Sequence, residues 1–526
     1  MHRILVAAHS VTALTRLADV LTVVENDPRL ETAFTHIPGS SFGEGVADFL
    51  GALGTRTLAW PQATREGFDL AVAAGHSGEL HRIGAPLILL PHGIGYNKYR
   101  RGGEAVYGLA PDQLLRQGRV VPAAVVLSHD EQLRRLKASC PQAVPVAAVA
   151  GDMCLDRMTA ALPWRGRFRD RLGVARGQRL VVVSSTWGPA SVLADRPDLP
   201  ARLLAELPAD EYRVAAVVHP NLWHGHGAWQ VRAWLADARR AGLLLIPPRE
   251  GWRAAVVAAD CVVGDHGSVG LYAAALGRPV ALAAYGRAEI DPASPMAELA
   301  RTVPHFDHDA ALRPQVEAAI AVHDPARSER LADLAVAERG QAARLLRALM
   351  YQLMKLPEPV GPARTVPVPP AEPEPVAWGY DAPAMVVTAG VRGDAVRVER
   401  FPAAVAELRG RALSGPHLVV DDTETDQRLR ETAEVLVRRS DAPGQTSPLV
   451  PDEVFAAYPV CRIIVEMPSG RLWLRDGRRL VARVPEPDVA ASAVLAWLDH
   501  EGALPERLTL ELGSRRVTVR FQPSAL

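Results

Sequence analysis

The chain has 526 residues, too many for one compact core, and 59 Lys+Arg balance 59 Asp+Glu to a formal net charge of zero. That balance leaves no basic field to gather nucleic acid, and 48% hydrophobic with 22% charged residues excludes a disordered or fibrous chain. Cys140, Cys154, Cys261 and Cys461 form no C-x-x-C pair, which argues against a disulfide framework and a zinc site and fits a reducing cytoplasm.

Residues 1–6 run straight into a strand-like apolar stretch, unlike a secretory signal, and no apolar run reaches the roughly 20 residues that cross a bilayer. The expected place is the cytoplasm, with peripheral contact at the inner face of a membrane left open. From residue 1 to about 150, short apolar runs at 4–8, 70–74, 86–90 and 124–127 alternate with amphipathic ones, the pattern of βαβ units around a parallel sheet. These runs end in the turns Ala8-His9-Ser10, Gly75-His76-Ser77, Pro91-His92-Gly93 and Ser128-His129-Asp130. Ligands of open α/β sheets bind at the carboxyl ends of strands, although a histidine in a turn is also ordinary.

In the next segment, Pro91 to Arg101, His92 beside Gly93 is suited to taking a proton from a hydroxyl, and Lys98, Arg100 and Arg101 to drawing in an anionic acceptor; a solvated basic loop is the plain alternative. A second alternating block has strand candidates at 180–184, 213–218, 243–246, 261–264 and 279–283, after a crossing near Gly151-Asp152. Within it, Val218-His219-Pro220 stands at a strand end, where His219 suits a phosphate oxygen; His224 and His226 follow, so a three-histidine metal site is weighed and set aside for want of a further ligand. Gly264-Asp265-His266-Gly267-Ser268-Val269-Gly270 joins a strand to a helix, so free N–H groups and a helix dipole gather there as a phosphate site would require. A plain βα turn with a helix cap reads equally well.

Residues 329–356 read as one helix packing back across the preceding lobes, and 356–376, rich in proline, as an extended spacer. Beyond it, strand-like 418–420, 461–467 and 508–521 and helix-like 426–438 and 489–500 indicate a small α+β domain. Asp421-Asp422-Thr423-Glu424 suits a divalent cation or, more simply, a helix-capping turn. The expected architecture is α/β: Rossmann-like lobes at 1–150 and 151–355 facing a cleft, a linker at 356–376 and an α+β domain at 377–526.

The succession His92-Gly93, Gly151-x-x-x-x-Asp156, Thr186-Trp187, His219-Pro220, Asp265-x-Gly267-Ser268 and Leu276-Gly277-x-Pro279 resembles the CDP-glycerol glycerophosphotransferase family and, more loosely, UDP-N-acetylglucosamine 2-epimerase. Both families have the GT-B fold. The resemblance implies that His92 is the base for an acceptor hydroxyl. It also implies that His219, Asp265, His266, Gly267 and Ser268 form the donor-phosphate side, and that the nucleotide lies near Thr186, Trp187 and Gly188. It implies no metal and no cofactor beyond a nucleotide-activated donor, and a hydroxyl acceptor that a lipid can carry, as in making a cell-envelope polymer. A protein partner is expected at most for the last domain.

Two departures stand out. The family pattern has two serines where this chain has Gly267 and Ser268, and an acidic residue where it has Tyr272; the epimerase glutamates of that helix are absent. A nucleotide-binding or regulatory module without turnover is therefore the competing expectation.

Overall fold

The structure, a computed structural model, describes residues 1–39, 43–76, 78–100, 103, 105–376, 382–410, 412–439 and 449–523. Arg101 and Ser77, named above, lie outside the described residues.

Seven strands form the first sheet: β1 (His2–Ala8), β2 (Leu30–His36), β3 (Thr57–Leu58), β4 (Leu70–Ala74), β5 (Leu87–Leu90), β6 (Ala124–Leu127) and β7 (Ala147–Val149), in the order β3-β2-β1-β4-β5-β6-β7 and all parallel. β4, β5 and β6 are buried along their whole length, which is why they read as unbroken apolar runs. β2, LETAFTH, is half-buried and interrupted by polar residues, so its pattern is weak in the sequence.

The second sheet holds β8 (Arg179–Ser185), β9 (Tyr212–Val218), β10 (Leu244–Ile246), β11 (Cys261–Gly264) and β12 (Val280–Leu282) in the parallel order β10-β9-β8-β11-β12. Both sheets are covered on each face by apolar clusters, as parallel sheets require.

Four helices tie the two units together: α1 (Val11–Leu21), α2 (Met153–Ala160), α3 (Trp252–Ala258) and α4 (Ser268–Ala275). The single helix expected over 329–356 is two, α5 (Pro325–Ala335) and α6 (Ala342–Met354). Between them Glu338 and Gly340 adopt φ of 51° and 78°, and the Asp156 carboxylate accepts from Gly340 N–H and Ala342 N–H at 2.7 and 3.0 Å, capping α6. α6 then joins the apolar cluster of the first sheet, with Tyr351 donating to Asp27 at 2.6 Å.

Residues 357–376 form neither helix nor strand, yet they do not hang free. Val368 and Ala371 are buried in the core of the second unit, Arg157 donates to the Val366 and Pro367 carbonyls at 2.7 and 3.1 Å, and Glu374 N–H donates to Leu245 O at 2.8 Å. The segment is a strap that also satisfies part of the open edge of β10.

The last region is a closed nine-stranded barrel of β13 (Ala384–Arg392), β14 (Ala395–Pro402), β15 (Pro416–Asp421), β16 (Val435–Arg439), β17 (Ile463–Met467), β18 (Arg471–Leu474), β19 (Arg479–Ala482), β20 (Arg507–Leu512) and β21 (Arg515–Pro523). It closes in the order β13-β14-β20-β21-β19-β18-β17-β16-β15. Every strand contributes to one apolar cluster shared with α7 (Pro487–Glu501), whose Ala490, Ala491 and Ala493 are fully buried. The helix expected over 426–438 is instead a short one, Gln427–Thr432, followed by β16, because Val435-Leu436-Val437 is β-branched-rich and buried between β15 and β17. The barrel is docked on the second unit by Arg400, which pairs with Asp210 at 2.6 Å and Asp488 at 2.7 Å, and by Arg313, which pairs with Glu211 at 2.9 Å and Glu399 at 3.0 Å.

Among the described residues no helix is long and apolar enough to cross a membrane.

Candidate active site

β5 ends in Pro91-His92-Gly93, and the loop that follows reaches the second unit. Tyr99 N–H donates to Glu289 O at 2.8 Å, Asp291 N–H donates to Asn97 O at 3.0 Å, and Arg135 pairs with Asp291 at 2.9 Å. The loop is folded on itself by Asn97 Nδ2, which donates to Ile94 O at 2.7 Å, and by Gly95 with φ of 67°. His92 stays open to solvent, while Gly93 lies directly against the start of α4: a Cβ on Gly93 would stand 2.4 Å from Ser268 Oγ.

On the second unit, β11 leads into Asp265-His266-Gly267 and α4. Asp265 is 2% exposed, and one of its oxygens accepts from Thr186 N–H, Thr186 Oγ1 and Val192 N–H at 2.8, 2.8 and 3.0 Å. Its role in this geometry is to clamp the β8 loop, Thr186-Trp187-Gly188, to the β11 turn. A Cβ on Gly267 would fall 2.4 Å from Thr186 Cγ2, so the serine of the family pattern has no room here. No side chain caps the N-terminus of α4, and Ser268 at its start lies against the His92-Gly93 turn.

His219 follows β9. Its Nδ1 accepts from Asn221 N–H at 3.1 Å, which leaves Nε2 as the N–H donor. Removal from water, then His92 and Lys98, push its pKa down to about 3, so it acts as a neutral donor. His266 is 1% exposed and uses both ring nitrogens within its own unit: Gly286 N–H donates to Nδ1 and Nε2 pairs with Glu289, each at 3.1 Å. It braces segment 286–289, the segment that Tyr99 engages.

Lys98 is half-buried and forms a backbone bridge with Ile290. Burial lowers its pKa while Asp265 and Glu289 raise it; burial is also the larger cause that depresses His92, to about 4, and likewise His219 and His266, and the Lys98 charge adds to it at each ring. Lys98 therefore sits among the candidate site histidines, between the units. Arg100 does not: it pairs with Asp112 at the surface. His224 packs against Gly45 and His226 lies edge-on to Trp234 at 5.0 Å, so the three histidines that follow β9 go to different partners. Among the described residues no group of three or more His, Cys, Asp or Glu is arranged to hold a metal.

Sequence reasoning passed over the buried charges that join the units. Arg16 on α1 pairs with Asp152 through two hydrogen bonds, 3.1 and 2.6 Å, and Tyr272 on α4 donates to the same carboxylate at 3.2 Å; the three are 5%, 0% and 3% exposed. One turn along α1, Asp19 pairs with Arg157 and with Arg253, the latter at 2.7 Å. The available signal was the Arg16, Asp19 spacing of one turn in an otherwise apolar helix.

No family model matches the chain, and no curated protein matches it in sequence. It is similar to solved structures. These include the wall teichoic acid polymerase TagF (12% identity, 67% of this chain and 89% of that one, TM-score 0.47) and the S. aureus MnaA-UDP co-structure (13%, 69% and 100%, 0.41). They also include a UDP-N-acetylglucosamine 2-epimerase (14%, 69% and 100%, 0.42).

Proposed function

We propose that residues 1–150 and 151–355 are the two lobes of a GT-B-type transferase, with the site in the cleft between them. It moves a glycosyl or polyol-phosphate group from a nucleotide-activated donor to a hydroxyl. The apposition of Gly93 and Ser268 carries this reading, because it sets a solvent-open histidine opposite a helix N-terminus. The donor diphosphate lies on the α4 N–H groups, Ser268 Oγ, His219 Nε2–H and the Lys98 ammonium. The nucleotide extends toward Thr186, Trp187 and Gly188.

His92 takes the acceptor proton as the acceptor oxygen forms its new bond. The bond to the leaving phosphate oxygen breaks, and its electron pair departs on the nucleotide. The developing negative charge meets fixed donors in a partly dehydrated site, so no reorganisation is needed at that moment. Asp265 and His266 act through the loops they hold.

The burial of Tyr272 against Asp152 favours a second reading, a nucleotide-binding module without turnover, since the position of the family's acidic residue is committed to joining the units. Two measurements separate them. A thermal-shift series of the full chain with CDP, UDP, GDP, ADP, CDP-glycerol and UDP-sugars should show stabilisation by one nucleotide class, about 2.7 kcal/mol at 100 times the dissociation constant. No shift by any of them sinks both readings. Given a donor, His92→Ala should bind it and release no product; turnover at the wild-type rate removes the base role.

A further inference from the structure

Three adjacent strands of the first sheet run into histidine: β1 into His9, β4 into Gly75-His76 and β5 into Pro91-His92. Continued past the strand ends, the register aligns His76 with His92 and His9 with Gly75, and neighbouring strands lie about 4.8 Å apart. The proposed chemistry uses His92 alone. His9 and His76 are 7% and 8% exposed, and among the described residues His9 Nδ1 and both ring nitrogens of His76 have no hydrogen-bond partner.

The row is continuous. A Cβ on Gly75 would stand 2.4 Å from His9 Cε1, and the rings of His76 and His92 both lie edge-on to Tyr107, at 6.0 and 5.8 Å. A buried polar atom left unpaired costs about 1–3 kcal/mol, and native proteins leave few of them. Three together beside a candidate base mark a place where something else supplies the hydrogen bonds.

The chemistry of that something follows from the rings. Burial first, then His92, depresses His9 to about 4 and His76 to about 3, so both are neutral near pH 7. A neutral imidazole offers one N–H and one bare nitrogen, and a hydroxyl both accepts and donates, so the two match. A phosphate dianion has only acceptors: it can take the N–H of a neutral ring, as proposed for His219, whose other nitrogen accepts from Asn221, but it leaves the bare nitrogen of His76 unmet.

We infer that His9 and His76 form a subsite beside His92 for neighbouring hydroxyls of an uncharged polyol or sugar acceptor. The inference rests on the reading of His92 as the acceptor-side base. It narrows the acceptor to one that presents several hydroxyls and no charge at its reacting end.

Saturation-transfer NMR on the full chain with ribitol as the observed ligand tests it. Ribitol should be saturated, equal concentrations of inorganic phosphate should leave that signal in place, and His9→Gln and His76→Gln should each weaken apparent affinity about tenfold, the change for one hydrogen bond lost. No ribitol signal on the wild type, displacement by phosphate, or unchanged binding in both variants overturns the subsite. The wild-type competition decides the matter even if a variant does not fold. Nucleotide stabilisation is measured separately: its absence with ribitol binding intact overturns the transferase reading and leaves the subsite standing.

Discussion

Gly93 of the first unit and Ser268 of the second are in contact so close that a Cβ on the glycine would lie 2.4 Å from the serine hydroxyl oxygen. Gly93→Ala should therefore push the His92 turn off α4. An overpacked contact of this kind costs about 1–3 kcal/mol. A lower melting temperature together with weaker nucleotide binding is the expected result, and adding Ser268→Ala should recover part of the melting temperature but not the binding, because it removes a proposed phosphate donor. No recovery of the melting temperature would show that this contact does not set the spacing of the units.

Asp265 accepts three hydrogen bonds at one buried oxygen. Asp265→Ala strands Thr186 N–H, Thr186 Oγ1 and Val192 N–H without an acceptor, at about 1–3 kcal/mol each before relaxation. Denaturant unfolding should show a loss above about 3 kcal/mol, and Thr186→Val a smaller one. A loss near zero for Asp265→Ala would mean the β8 loop is held by other contacts.

The Arg16–Asp152 pair should be costly to break and cheap to replace. Arg16→Met alone leaves a buried carboxylate without its counter-charge, expected at about 3–5 kcal/mol, whereas Arg16→Met with Asp152→Asn, which keeps an acceptor for Tyr272 and Leu155 N–H, should restore part of the stability. A double-mutant cycle measures this. Additive effects would indicate that the two side chains act independently.

Acid should destabilise the fold before any carboxylate is protonated. His9, His76 and His219 are depressed to about 4, 3 and 3 from 6.5, so their neutral forms stabilise the fold fully above pH 6.5. As pH falls below 6.5 the unfolded chain takes up protons that the folded one refuses, and stability drops until the folded values are reached. Each histidine adds up to about 1.4 kcal/mol per pH unit in that window. Unfolding free energies between pH 7 and 5 should fall steeply, with a shallower slope for His76→Gln; an equal slope in that variant would contradict the assignment.

Much of the α/β part was legible because buried parallel strands leave continuous apolar runs: β4, β6 and β11 begin and end where such runs do. β2, half-buried, has no such mark. The barrel was not legible. Its closure depends on β14 pairing with β20 and β13 with β15, and no local pattern records which distant strand a strand will meet. In the site, the positions of His92, His219 and Gly267 at strand ends were visible from the alternation of runs and turns. That Gly267 cannot be serine, that His266 spends both nitrogens on its own unit and that Arg100 turns away to Asp112 were not.

Hydrophobic periodicity and turn chemistry by themselves determined the two alternating α/β blocks, the proline-rich break and the strand ends where chemistry is possible, because each is a local property of the chain. Only the tertiary structure decided that residues 357–376 are a strap, since burial of Val368 and Ala371 requires the second unit beneath them. The same holds for Arg16 and Asp19. On an isolated helix they would face water, and they become buried partners of Asp152, Arg157 and Arg253 only when the second unit closes over α1 and shields these charges from water.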